Sequence, residues 1–158
     1  MEVGVDGPQA LDLVGRKLPK DGGRAVTAFF GEVSGFLGEN KNDAALAPYL
    51  APLKTAIGQL QQATMWLMQN AMKNPENAGA ASTDYMHLFG LTALGYMWAR
   101  IAKAALARQA NGTSNEALDS KLALAKFFNA RILPEAGAHL ARLSSGAETL
   151  MAMPAEAF

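Results

Sequence analysis

The stretch LAPYLAPLKTAIGQLQQATMWL, residues 46–67, decides the fold. Leu46, Leu50, Leu53, Ile57, Leu60, Thr64 and Leu67 recur at alternating steps of four and three, the spacing of a helix that buries one seam in a bundle or coiled coil. A half-buried strand would alternate at every second residue, and this stretch does not. The spacing predicts a helix from near Leu46 to just before Pro75, because the residue preceding a proline is pushed out of the α region. Pro48 and Pro52 sit awkwardly in it and predict a delayed start.

Working outward, glycine and proline divide the rest of the chain into further helical blocks. A short first helix is expected from Pro8, carrying Ala10, Leu11 and Val14, and broken at Gly15 and Pro19. A turn at Asp21-Gly22-Gly23 comes next. The second helix, Arg24 to Glu39, places Val26, Phe29, Phe30, Val33 and Leu37 on one face. Ser82-Thr83-Asp84 are expected to cap a later helix that stops at Asn111-Gly112. Gly90, Ala93, Gly95, Ala99, Ala102 and Ala105 make that helix thin, so neighbours can approach closely. A last long helix opens near Asn115, turns Leu118, Leu122, Ala125, Phe128 and Ile132 inward, is interrupted at Pro134, and resumes from Ala136 to Ser144. The fold expected is all-α: an antiparallel up-down-up-down four-helix bundle with a short extra N-terminal helix.

Composition narrows the function. Lys+Arg and Asp+Glu balance at 14 each, half the residues are apolar and 18% are charged. No net field exists to gather nucleic acid, anionic lipid or acidic substrate. The cations are scattered and not interleaved with aromatics, so no nucleic-acid partner is expected. The absence of cysteine excludes disulfides, thiolate nucleophiles and cysteine-ligated metals, and fits a reducing compartment. Nothing in residues 1–7 resembles a secretory signal, so a cytoplasmic protein is expected. The apolar block Tyr85 to Ala99 is shorter than the roughly 20 residues that span a bilayer.

Candidate chemistry is sparse. A di-iron bundle needs about six inward carboxylate and histidine ligands. This chain has only His87 and His139, the nearest pairing being Glu135 with His139, and no carboxylate is assigned to His87; no metal site is expected. No phosphate-binding glycine motif or nucleophile motif is present. Gly31 and Gly35 read as a close-packing contact. The cluster of Met65, Trp66, Met68 and Met72 reads as core filling, with the lining of a ligand groove as the alternative. Arg131, between Phe128 and Ile132, is expected to lay its stem over apolar surface and aim its donors at carbonyls or a carboxylate, a structural role costing about 1 to 3 kcal/mol on truncation.

Beyond "helical bundle", the sharper reading comes from resemblance. Gln9-Ala-Leu-Asp-Leu-Val-Gly-Arg-Lys-Leu18 resembles the stretch that follows the catalytic loop in acyl-CoA dehydrogenases of the long bacterial type. Lys121-Leu-Ala-Leu-Ala-Lys-Phe-Phe-Asn-Ala-Arg-Ile-Leu-Pro134, then Gly146 and Leu150-Met-Ala-Met-Pro154, resembles their C-terminal end. Gln62-Ala63-Thr64 and the Tyr85 to Ala99 block are also similar.

The resemblance implies an oxidoreductase that uses FAD to oxidise an acyl-CoA to a 2,3-enoyl-CoA and passes electrons to an electron-transferring flavoprotein. It also implies a homo-oligomer, expected to be a homodimer. In that family a catalytic glutamate precedes the Gln9 segment within a Tyr-Glu-Gly-Thr pattern. Here the positions read Glu2-Val3-Gly4-Val5: Val3 stands in the glutamate position and Glu2 one residue early. Gly4 and Gly7 agree with the pattern and are the cofactor-side residues it implies, within a complete parent chain. A displaced carboxylate misses the geometry of proton abstraction, so no catalytic residue is assigned.

The expected division is residues 1–20 as a remnant of the catalytic helical domain and 21–158 as an accessory bundle, the chain being a fragment of the longer enzyme and inactive alone. The alternative is a freestanding bundle that binds a protein or an apolar ligand.

Overall fold

A computed structural model describes residues 6–113 and 115–157. No strand occurs among them. The helices are α1 (Asp6–Asp12), continued by a π-helical turn at Leu13–Lys17; α2 (Arg24–Asn40); α3 (Ala47–Asn70); α4 (Pro75–Ala110); α5 (Glu116–Phe127), continued by a π-helical turn at Phe128–Ile132; α6 (Glu135–Ser144); and α7 (Glu148–Met151).

The seam predicted for α3 is the spine of the core. Leu46, Leu53 and Leu60 are wholly inaccessible, and Leu50, Ile57, Thr64 and Leu67 are buried with them. Burying a leucine side chain contributes about 2 kcal/mol, so this one stripe accounts for much of the bundle's cohesion.

Cross-helix contacts fix the directions. Thr64 meets Tyr85 and Thr92 meets Ala56, so α3 and α4 run antiparallel. Phe29 stacks on Phe89 and Phe36 packs edge-on against Tyr96, so α2 runs parallel to α4. Trp98 lies by Phe128, Gly95 against Leu133, and Asp84 against His139, so α5 and α6 together descend along α4 as the fourth member. Up-down-up-down is therefore the observed order. The thin face of α4 acts as expected at Gly95: a Cβ there would lie 3.2 Å from the Leu133 side chain. α1 lies across α4, and Val14 and Leu18 join the common core.

Several local expectations are corrected. Gly15 does not end the first helix, because the chain widens into a π-helical turn that carries it to Lys17, with Leu18 N–H bonded to Leu13 O at 2.7 Å. Pro48 and Pro52 do not delay α3. Pro48 falls in the first turn, where no N–H is needed, and Asp43 Oδ1 accepts the Ala45 and Leu46 amides just ahead of it. α3 stops at Asn70 and Pro75 begins α4, because Asn74 caps that helix, its Oδ1 accepting the Glu76 amide at 3.0 Å. Ser82, Thr83 and Asp84 consequently lie inside α4; Ser82 is buried and donates back to Gly79 O.

Gly31 and Gly35 pack against nothing, and Gly90, also set on the thin face of α4, is exposed with open space at its Cβ. Met65, Met68 and Met72 are exposed rather than core-filling, since Leu60, Thr64 and Leu67 already occupy the inward face of that part of α3. Arg131 is exposed and forms no ion pair among the described residues; it lies in the π-helical turn at Phe128–Ile132, in which Phe128 is buried as expected and Arg131 faces outward. Leu122 and Ile132 are only partly buried.

Candidate functional site

Packing of α4 on α6 assembles the main polar cluster. Asp84 and His87 lie a turn apart on α4, and His139 and Arg142 a turn apart on α6. Asp84 Oδ1 is 2.7 Å from His139 Nδ1, 2.9 Å from Arg142 Nε and 2.8 Å from its Nη2. A carboxylate can only accept, so His139 carries the proton on Nδ1 and donates it to Asp84. The 2.7 Å approach of Arg142 Nη2 to the same Nδ1 is then a contact without a shared proton. The His87 ring lies nearly parallel to that of His139, 5.2 Å away.

Sequence spacing places Glu135 nearest His139 and gives His87 no carboxylate. The structure instead gives Asp84 to His139, one turn before His87. Asp84 escapes a reading by spacing because its neighbours Ser82 and Thr83 make it look like part of a helix cap. The arrangement ties two helices with an oriented imidazole: His139 and Arg142 both donate to the Asp84 carboxylate. Among the described residues no cluster of three or more histidine and carboxylate side chains is set to hold a metal ion.

A second feature is a groove of about 670 Å³ between α2 and α4. Tyr96 donates its hydroxyl to Glu32 at 2.9 Å, Arg100 lies over the Tyr96 ring, and Lys103 lies over Phe36. Gly31 and Gly35 form its α2 edge. Burial, and then the neighbouring Glu32 carboxylate, push the Tyr96 pKa above the ordinary tyrosine value. The groove pairs acidic and basic walls, so it offers no concentrated charge to an ionic ligand.

A third feature is an apolar groove of about 430 Å³ between the N-terminal segment and the end of α3, lined by Val14, Leu18, Leu67, Met68 and Met72. Of the two glycines singled out on the cofactor side, Gly7 sits in α1 with open space at its Cβ, and Gly4, with Glu2 and Val3, lies outside the described residues. No described helix is long and apolar enough to cross a membrane.

Comparison with known proteins adds what geometry alone does not. Residues 29–154, from α2 to the segment after α7, match the family model described as acetyl-CoA dehydrogenase C-terminal like. The chain is also 32% identical over 144 residues to 3-methylmercaptopropionyl-CoA dehydrogenase of Ruegeria pomeroyi. That alignment takes in 90% of this chain and 24% of the relative, so the chain spans about a quarter of that protein's length.

Proposed function

Because the chain belongs to the acetyl-CoA dehydrogenase C-terminal-like family, we propose that it is the helical C-terminal domain of an FAD-dependent acyl-CoA dehydrogenase. Its role there is to support the catalytic body. The observation that carries this reading is the family match itself, which runs in order through α2 to α7. On this reading residues 1–20 are the end of the catalytic helical domain and 21–158 the accessory bundle.

The whole polypeptide oxidises an acyl-CoA to its 2,3-enoyl-CoA, with FAD supplying the hydride acceptor and an electron-transferring flavoprotein receiving the electrons. It works as a cytoplasmic homodimer. Gly4 and Gly7 match the cofactor-side positions of the family pattern in the complete polypeptide. The described grooves have side-chain walls from packed helices and no glycine-rich turn after a strand to seat a pyrophosphate, so no catalytic step is assigned to residues of this bundle. What its residues do is hold shape: the α3 seam and the Asp84 tie between α4 and α6 keep a rigid surface against which a larger body can pack.

The test compares the longer polypeptide encoded with this segment, with and without residues 21–158. The intact form is expected to retain FAD and reduce a dye with acyl-CoA, and the truncated form to lose activity by about tenfold or more as the supporting surface disappears. A truncated form with full flavin occupancy, full activity and unchanged assembly would overturn the proposal.

A further inference from the structure

α3 carries a second stripe beside its buried seam. Met65, Met68 and Met72 recur at i, i+3 and i+7 and are 60%, 52% and 90% exposed. Met68 and Met72 border the apolar groove of about 430 Å³ whose far wall is Val14 and Leu18 and whose end is Gly22-Gly23. Both glycines have positive φ, which favours glycine in this turn, and Gly23 lies beside the Met68 methyl at the end of the groove. Contiguous apolar surface of this kind marks an interaction site more often than free surface, and methionine adapts to the shape of what covers it.

The surroundings indicate the occupant. Asp12 and Asp21 are engaged by Arg16, Lys17 and Arg24. Lys20 and Lys73, which flank the groove in sequence, make no ion pair among the described residues and outnumber the one such carboxylate, Glu76, so the rim favours an apolar segment with acidic neighbours. The relative is about four times longer than the matched region, and the matching family is a C-terminal one. A polypeptide continuing ahead of α1 would be tethered beside this groove, because the turn that continues α1 lines it, and tethering raises its effective concentration there. Resting on the reading of the chain as one domain of a dehydrogenase, we propose that this groove with its methionine stripe is the seat of an apolar, acid-flanked segment of the dehydrogenase body.

Methionine oxidation by dilute peroxide, read by peptide mass spectrometry, tests this in the 158-residue chain and in the flavin-loaded longer polypeptide. In the chain alone Met72 is expected to oxidise at least as fast as Met97, which is 47% exposed on α4. In the longer polypeptide Met68 and Met72 slow by about tenfold or more while Met97 does not, since oxidation follows exposure. Equal rates in the chain alone and in a flavin-loaded longer polypeptide would overturn the proposal. Protection within the isolated chain that grows with its concentration would assign the groove to a second copy, and protection there by an added acyl-CoA would assign it to a small ligand; either result also overturns it. Failure of the underlying reading shows separately, as a polypeptide without flavin or without acyl-CoA-dependent dye reduction.

Discussion

The buried pair of Thr64 and Tyr85 gives the sharpest test of how the bundle is held. Thr64 Oγ1 lies 2.8 Å from Leu60 O and 2.8 Å from the Tyr85 hydroxyl. Thr64 has one hydroxyl proton and Leu60 O can only accept, so Thr64 donates to Leu60 and Tyr85 donates to Thr64. Tyr85 is fully inaccessible and Thr64 nearly so. Thr64→Val keeps the shape but removes the acceptor and strands a buried hydroxyl, at about 1 to 3 kcal/mol. Tyr85→Phe removes the donor and leaves Thr64 still bonded to Leu60, at about 1 kcal/mol.

The double variant has no stranded donor. It is expected to cost no more than Thr64→Val alone, a coupling of about 1 kcal/mol between residues on α3 and α4. Urea denaturation of the four proteins, with midpoints compared at constant slope, measures this. Strictly additive losses, or a Thr64→Val protein as stable as the parent, would refute the reasoning.

Further perturbations probe the same packing. Burial pushes the Tyr85 pKa up to about 12. The folded state therefore keeps this proton where the unfolded chain, at an ordinary tyrosine value, has lost it. The resulting stability is complete below that unfolded value and is lost as pH rises through about 12, a decline of about 2 to 3 kcal/mol that Tyr85→Phe should reduce in alkaline denaturation curves. Gly146 has φ +71°, and a Cβ there would lie 3.1 Å from Asn77 Oδ1, which accepts the Ala147 amide; Gly146→Ala should cost about 1 to 3 kcal/mol by urea midpoint. Leu60→Ala, at a fully buried seam position, should cost about 2 to 5 kcal/mol, read as a drop in thermal midpoint. Arg131→Ala should stay within about 0.5 kcal/mol of the parent in the same assay, because the exposed guanidinium holds no partner among the described residues.

The α3 seam is legible in the sequence because seven buried positions repeat with one period, and Tyr49, Ala56 and Ala63 are buried beside them. The cap at Asn115 is legible for the reason caps usually are, its Oδ1 accepting the Leu118 amide at 3.0 Å. The start of α4 is not. Its first turns read PENAGAASTD, with small residues where a stripe of leucines would announce a helix, and Ala81 and Ser82 are buried by close approach rather than by bulk.

The same weak signal hides the polar cluster, since an Asp84 spent on a cap is not available to His139 on a helix 55 residues away. A regular helix continued through Phe128–Ile132 misplaces Arg131, because the chain there widens to a π-helical turn and rotates its later residues around the axis. The methionines next to Trp66 look like core in any sequence window; only the prior claim of Leu60, Thr64 and Leu67 on the inward face puts them outside.

The proposal that this bundle supports flavin chemistry without holding the flavin stands or falls on the visible spectrum of the purified 158-residue chain after incubation with FAD and removal of free ligand. A colourless, folded protein that reduces no dye with any acyl-CoA is expected. Stoichiometric bound flavin, or acyl-CoA-dependent dye reduction by the chain alone, would contradict it.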